Sequence, residues 1–115
     1  MASTKINNTD KYFVAQTLTP SNYLTTIYAR RKGNMVELEF RDLKNMTNGT
    51  SVDVYTLPEP YRPLGTTEQT FVTAEATPKV YRMTINTAGV ISIIPYYTAT
   101  GPTNNHSSIT YPAWN

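Results

Sequence analysis

The chain has 115 residues, of which 39% are hydrophobic and 16% charged, which is enough for one domain with its own core. Its net charge of +2 is too small to indicate a nucleic-acid partner. Because it contains no cysteine, a disulfide framework, a thiolate metal site and a catalytic cysteine are excluded. No apolar run approaches the roughly 18 residues of a membrane helix, so we expect no membrane insertion.

Short apolar stretches separated by turn residues run along the whole chain. Residues 1–11 are polar and predict a flexible leader, and residues 12–115 predict a single β domain. The clearest amphipathic strand is 35–43, where Val36, Leu38 and Phe40 alternate with charged residues. The other strands are predicted around residues 12–15, 24–31, 52–55, 66–76, 80–86, 90–94 and 106–111.

The stretch from Lys79 to Pro95 predicts a β-hairpin. Tyr81, Met83 and Ile85 would share one face of its first strand, as a period of two requires. Residues 87–89 predict a three-residue loop ending in Gly89, which tolerates a positive φ. The second strand, residues 90–94, is rich in β-branched residues, so we expect it to be buried on both faces.

Residues 57–65 contain three prolines, which excludes a central strand and favours an extended connection. Within it, the fixed φ of Pro63 favours a structural role for Tyr61-Arg62-Pro63 over a binding role, with Arg62 hydrogen-bonded to loop carbonyls. Together these patterns predict an all-β domain, an antiparallel barrel or sandwich of about seven short strands without a long helix.

The acidic residues give little support to catalysis. Glu37 and Glu39 would lie about 7 Å apart on one strand face, a separation that overlaps that of an inverting glycosidase pair. On an open amphipathic strand, solvated charge is the simpler interpretation. One histidine and no cysteine leave no metal set and no triad, so we expect a non-enzyme without a cofactor.

Sugar binding matches the composition better, because saccharides need aromatic faces and neutral polar groups. Such residues gather near the C-terminus, with Arg82 available for a charged sugar; we expect Tyr97 and His106 to be central. One tyrosine of the Tyr96-Tyr97 pair could instead lie in the core, and Trp114 could pack against a neighbouring residue. An alternative site is the 44–50 loop. The predicted saccharide-binding residues are Arg82, Tyr96, Tyr97, Asn104, Asn105, His106 and Trp114.

Three segments carry a family resemblance: Leu57-Pro58-Glu59-Pro60-Tyr61-Arg62-Pro63, Asn86-Thr87-Ala88-Gly89-Val90-Ile91 and Ile109-Thr110-Tyr111-Pro112. They resemble the C-terminal head domains of receptor-binding and baseplate proteins of tailed phages that infect Gram-positive bacteria, lactococcal phages in particular. In that family a Leu-Pro-x-x-Tyr-Arg-Pro element precedes a strand pair and a short terminal strand. The resemblance covers about residues 52–111.

This resemblance implies a compact Greek-key β-barrel that forms homotrimers and binds host cell-wall saccharide near subunit boundaries. It also implies a place in the virion, at the tail tip or baseplate, with other baseplate proteins bound through a preceding N-terminal region. Binding sites in the family combine an aromatic residue, a His or Asp, and an Arg. The counterparts here are Trp114 or Tyr97, His106 or Asp53, and Arg82 or Arg62. Two other functions remain open: a purely structural tail or fibre-tip domain without ligand, and a glycoside-cleaving tail enzyme.

Overall fold

The computed structural model describes residues 14–18, 22–23, 26–73, 75–101 and 106–113, with only the backbone described at 14–18 and 106. The predicted leader, residues 1–11, lies outside the described residues. So do Asn104, Asn105 and Trp114 of the predicted sugar site.

The described residues form eight strands and a single 3-10 turn, Glu59–Tyr61. No longer helix occurs among them, which confirms the all-β prediction. The strands are β1 Val14–Leu18, β2 Thr26–Lys32, β3 Met35–Arg41, β4 Val52–Thr56, β5 Thr67–Val72, β6 Val80–Ile85, β7 Val90–Pro95 and β8 His106–Pro112.

The strands form two four-stranded sheets whose neighbouring strands are all antiparallel. Sheet I has the order β1-β2-β3-β8 and sheet II the order β4-β7-β6-β5. In sheet II, β4 is joined to the consecutive strands β5, β6 and β7 by a longer connection and pairs with β7, which is a Greek-key order, whereas in sheet I β8 adds to the β3 edge of three consecutive strands. The predicted sandwich is therefore confirmed. The barrel form of the prediction is wrong, since the two sheets do not pair across their edges to close.

Alternation along the strands places the core between the sheets. On β6, Tyr81, Met83 and Ile85 are fully buried, as their spacing predicts, and the residues between them are half-buried. The prediction that β7 is buried on both faces is wrong. Ile91 and Ile93 are buried, but Ser92 and Ile94 are only half-buried, because β4 and β6 flank them while no described element covers the outer face of the sheet.

Aromatic packing joins the two sheets at the centre of the core. Phe40 of sheet I meets Phe71 and Tyr81 of sheet II with ring centroids 5.7 and 6.5 Å apart, both edge-on. Phe71 and Tyr81 stack at 5.3 Å. The Tyr81 hydroxyl is also hydrogen-bonded to the Ser107 hydroxyl on β8, so the sheets share a buried polar contact.

The connections between strands gather at two ends of the sandwich. At the turn end lie the β2–β3 turn, the β4–β5 connection and the β6–β7 turn. At the loop end lie the β3–β4, β5–β6 and β7–β8 connections. The β6–β7 turn is the predicted three-residue loop: Asn86 Oδ1 accepts hydrogen bonds from the amides of Ala88 and Val90, both at 3.0 Å, and Gly89 has φ +84°.

The proline-rich connection packs against the turn end and has a structural role. Arg62 Nε donates to the Leu57 carbonyl at 3.2 Å, as predicted. The Tyr111 hydroxyl donates to the Tyr61 carbonyl at 2.6 Å, and buried Arg31 donates to the carbonyls of Gly33 and Pro60 at 2.8 and 2.7 Å. These side chains satisfy carbonyls that the irregular segment cannot pair in a ladder.

Candidate functional site

Two of the predicted sugar-binding residues share the outer face of sheet II. Arg82 on β6 is paired with Ile94 on β7, and the Tyr96 amide continues the ladder by donating to the Val80 carbonyl at 2.9 Å. Tyr96 is therefore the diagonal neighbour of Arg82, a separation of about 7–8 Å that long side chains can bridge. The Tyr96 side chain is 51% exposed, so its ring is available to a partner.

Tyr97 lies differently from its neighbour. It is half-buried and packs against the hydrophobic core. Of the two tyrosines it is thus the one that serves the core, the alternative that the sequence left open. A central role in surface binding suits Tyr96 better than Tyr97.

The remaining predicted residues do not join Arg82 and Tyr96 in one described site. Position 106 begins β8 and is the backbone partner of Arg41 on β3, so it belongs to sheet I, whereas Arg82 belongs to sheet II. Asn104, Asn105 and Trp114 are outside the described residues. Binding of saccharide by Arg82, Tyr96 and His106 together stays a prediction, with β7 and β8 lying in different sheets.

A cavity on the outer face of sheet I lies beside position 106. We call it the upper cavity; its volume is about 280 Å³ and it is lined by Thr26, Tyr28, Glu39 and Arg41. The β2–β3 register explains the set, because Thr26 pairs with Arg41 and Tyr28 pairs with Glu39. Cross-strand partners point to the same face, and here both pairs point away from the core.

The lining of the upper cavity combines four kinds of group. A phenol ring offers an apolar face, a guanidinium offers donors in a planar fork, a carboxylate offers acceptors and a hydroxyl offers both. The arginine and glutamate charges offset each other, so the cavity suits a polar ligand of little net charge. Vicinal sugar hydroxyls above a C–H-rich ring face match that combination.

A second cavity lies further along the same sheet face, towards the turn end. This lower cavity has a volume of about 330 Å³ and is lined by Arg30, Lys32, Met35, Val36, Glu37 and Thr110. Arg30 and Glu37 form an ion pair between cross-strand partners, and this hydrogen bond raises the pKa of the Arg30 guanidinium. The Met35 side chain is 46% exposed, which gives this cavity an apolar wall.

The residues that sequence reasoning missed are Thr26, Tyr28 and Arg41. A signal for them exists in the sequence, because Gly33 and Asn34 form a tight turn between two amphipathic strands. That turn fixes the register, and the register places Tyr28 opposite Glu39. Glu37 and Glu39, interpreted from the sequence as solvated charges, line the lower and the upper cavity respectively.

The 44–50 loop, the alternative site, is joined to the segment after β7. Met46 and Ala99 exchange backbone hydrogen bonds of 2.8 and 2.9 Å, and the Asn48 amide donates to the Thr98 hydroxyl at 3.0 Å. Asp42 and Asn45 have left-handed backbone at φ 58° and 59°. The two loops therefore form one paired surface at the loop end, next to the upper cavity.

No family model matches the chain, and no curated protein sequence matches it. Within the described ranges, no three or more His, Asp or Glu side chains are grouped so that they could hold a metal ion. The helical residues described amount to one short turn, and none forms a helix that could span a membrane.

Proposed function

We propose that this chain is a non-enzymatic receptor-binding head domain of a phage tail tip or baseplate, which attaches the virion to host cell-wall saccharide. The segments at 57–63, 86–91 and 109–112, which resemble such heads, support the phage assignment. The antiparallel sandwich is compatible with it.

The observation that carries the sugar-binding part is the upper cavity. An aromatic ring, a guanidinium, a carboxylate and a hydroxyl line about 280 Å³ on one open sheet face. This is the mixture that holds a sugar ring by its C–H face and its hydroxyls. Each contact contributes on the order of 1 kcal/mol, so a single head binds weakly and many heads on one virion supply avidity.

Binding to polysaccharides purified from the walls of several Gram-positive bacteria, lactococci first, tests the proposal. We expect at least one polysaccharide to bind with a micromolar to millimolar dissociation constant and to release no new reducing ends. If none of the panel binds, the adhesion proposal is wrong. If reducing ends accumulate, the chain is a glycoside-cleaving enzyme.

Self-association into a homotrimer belongs to the same proposal, and the outer face of sheet II supports it. There Val72 is 62% exposed and Tyr96 51% exposed, with half-buried Val80 and Ile94 between them. Val72 pairs with Val80, so these side chains form one apolar patch, and such patches often mark contact surfaces. In a virion, further baseplate proteins would bind outside the head.

The same patch favours the second candidate function, a structural tail or fibre-tip domain without ligand. In that case the patch would hold neighbouring subunits and the cavities of sheet I would be unused. Wall-polysaccharide binding separates the two functions, because a structural domain would assemble normally and bind none of the panel.

A further inference from the structure

The upper and lower cavities follow one another along the same two strands. Four cross-strand pairs of β2 and β3 point outwards in succession: Thr26–Arg41, Tyr28–Glu39, Arg30–Glu37 and Lys32–Met35. The first two pairs line the upper cavity, and the last two line the lower cavity. No strand intervenes between the cavities, and we call the outer surface of β2 and β3 that carries both of them the β2–β3 groove.

The length of this groove exceeds a single sugar ring. Successive outward-facing pairs are about 7 Å apart along a strand, which places the cavity centres roughly 13 Å apart. One monosaccharide cannot contact both centres. An extended chain of several sugars can, provided that it runs parallel to the strands.

Strand β8, which lies beside β3, extends the polar lining on one side of the groove. Ser108 and Thr110 of β8 are exposed and pair with Glu39 and Glu37. Their register puts one small hydroxyl residue beside each cavity. Hydroxyl side chains spaced in this way suit a ligand whose hydrogen-bonding groups repeat along its length.

The two cavities differ in chemistry, so the bound units differ as well. The upper cavity offers the Tyr28 ring, whereas the lower cavity offers the exposed thioether of Met35. A flat sugar face matches the first surface. An apolar substituent such as an acetyl or deoxy methyl group matches the second.

We propose that the β2–β3 groove binds an extended segment of a linear polysaccharide, with one sugar unit in the upper cavity and a later unit, carrying an apolar substituent, in the lower cavity. This inference depends on the proposed saccharide-binding function and specifies its ligand. It replaces recognition of a single terminal sugar by recognition of several consecutive units.

Isothermal titration with size-fractionated oligosaccharides from partially hydrolysed lactococcal wall polysaccharide tests the inference. Soluble oligosaccharides too short to reach two heads avoid the avidity of the polymer. For the parent chain, we expect affinity to rise at least tenfold between the disaccharide and the longest fraction. The increase should stop once the oligosaccharide spans both cavities.

Variants test whether the rise in affinity with oligosaccharide length comes from the lower cavity. Combining Met35→Ala with Thr110→Ala should remove the gain with length, while leaving disaccharide affinity within twofold of the parent. Leu64→Ala is the matched control, since it trims an exposed apolar side chain that lines neither cavity and should change neither value. Melting temperatures close to that of the parent show that all variants fold.

Three outcomes would overturn the inference. One is an affinity that does not depend on length, and another is a double variant that weakens the disaccharide as much as the long fractions. In both, saccharide still binds and the proposed function stands. The third is failure of every fraction and of the intact polysaccharide to bind. In that case the proposed binding of lactococcal wall polysaccharide is wrong as well.

Discussion

The buried hydroxyl of Tyr111 connects the last strand to the proline-rich connection. It donates to the Tyr61 carbonyl at 2.6 Å, and burial raises the pKa of the Tyr111 phenol. Burial also raises the pKa of Tyr61. Both groups are therefore held in their neutral form in the folded chain, at a pH where the unfolded chain would already be losing these protons.

This difference predicts loss of stability in alkali. Above about pH 10 the unfolded state binds fewer protons than the folded state, so the free energy of unfolding falls as pH rises. Below that pH the contribution of the two phenols is constant. Urea titrations between pH 8 and pH 11.5 should show a plateau followed by a decline. A free energy of unfolding that rises above pH 10 would contradict the buried, neutral phenols.

Tyr111→Phe separates the hydrogen bond from the ionisation. At pH 8 we expect it to lower the free energy of unfolding by about 1 kcal/mol, because the Tyr61 carbonyl loses its donor. Its alkaline decline should be shallower than that of the parent, since only Tyr61 of the pair then remains to ionise. An unchanged alkaline slope would show that Tyr111 does not carry the effect.

Gly89 is required both by its backbone angle and by its neighbours. Its φ is +84°, and an added Cβ would lie 2.8 Å from Arg62 Cγ and 3.0 Å from the Leu57 carbonyl oxygen. Gly89→Ala should therefore cost about 1–3 kcal/mol of stability through strain and displacement of the proline-rich connection. Gly49→Ala is the matched control, because Gly49 has φ +76° but no atom within 4 Å of the added Cβ. Equal losses of stability in the two variants would show that the contact with Arg62 is unimportant.

At the scale of elements, local patterns predicted the strands but not all of their limits. The sequence predicts one strand over residues 66–76, yet β5 ends at Val72. Thr73 and Lys79 close the next turn, as the Thr73 amide donates to the Lys79 carbonyl and the Lys79 amide donates to the Thr73 hydroxyl, both at 2.8 Å. Such side-chain competition with the ladder is not visible as a change of period.

Arg31 is a second feature of a strand that the local sequence does not predict. Its place in a run of three basic residues, 30–32, predicts a solvated strand end, but the structure buries Arg31, and nothing in the local sequence shows that its partners are the carbonyls of Gly33 and Pro60. Arg31→Lys should cost about 1.5–3 kcal/mol, because an ammonium cannot reproduce the fork that bonds two carbonyls. Arg30→Lys, at the exposed neighbouring position, is the control and should change stability by less than about 0.5 kcal/mol. Similar melting curves for both variants would contradict a stabilising role for the hydrogen bonds from Arg31 to the two carbonyls.

At the scale of the whole molecule, the fold class could be predicted from the sequence and the candidate site could not. Nine tyrosines, eight prolines and period-two stretches indicate a β sandwich, which the structure confirms. The candidate site depends instead on which strand lies beside which. Position 106 meets Arg41 because β8 returns to the edge of sheet I, a pairing between residues 65 positions apart (106 − 41). Proximity in sequence grouped Tyr96, Tyr97 and His106, whereas the crossing from β7 to β8 separates them.

The surface arrangement also predicts how the molecule associates. If the apolar patch on sheet II forms the trimer contact, light scattering should give about three times 12.9 kDa for the parent. Val72→Lys should give the monomer mass, because it places a charge at the most exposed apolar side chain of the patch. A parent that is monomeric at micromolar concentration would show that this chain does not trimerise by itself.

The central claim is that saccharide binds the outer face of sheet I, not sheet II, and two matched tyrosine variants test it most directly. Tyr28→Ala and Tyr96→Ala each remove one phenol ring, but from opposite faces of the sandwich. Titration with the wall polysaccharide that the parent binds should show roughly tenfold weaker binding for Tyr28→Ala, equivalent to about 1.4 kcal/mol, and unchanged binding for Tyr96→Ala. The reverse result, with Tyr28→Ala binding like the parent and Tyr96→Ala weakened, would place the site on sheet II and contradict the account.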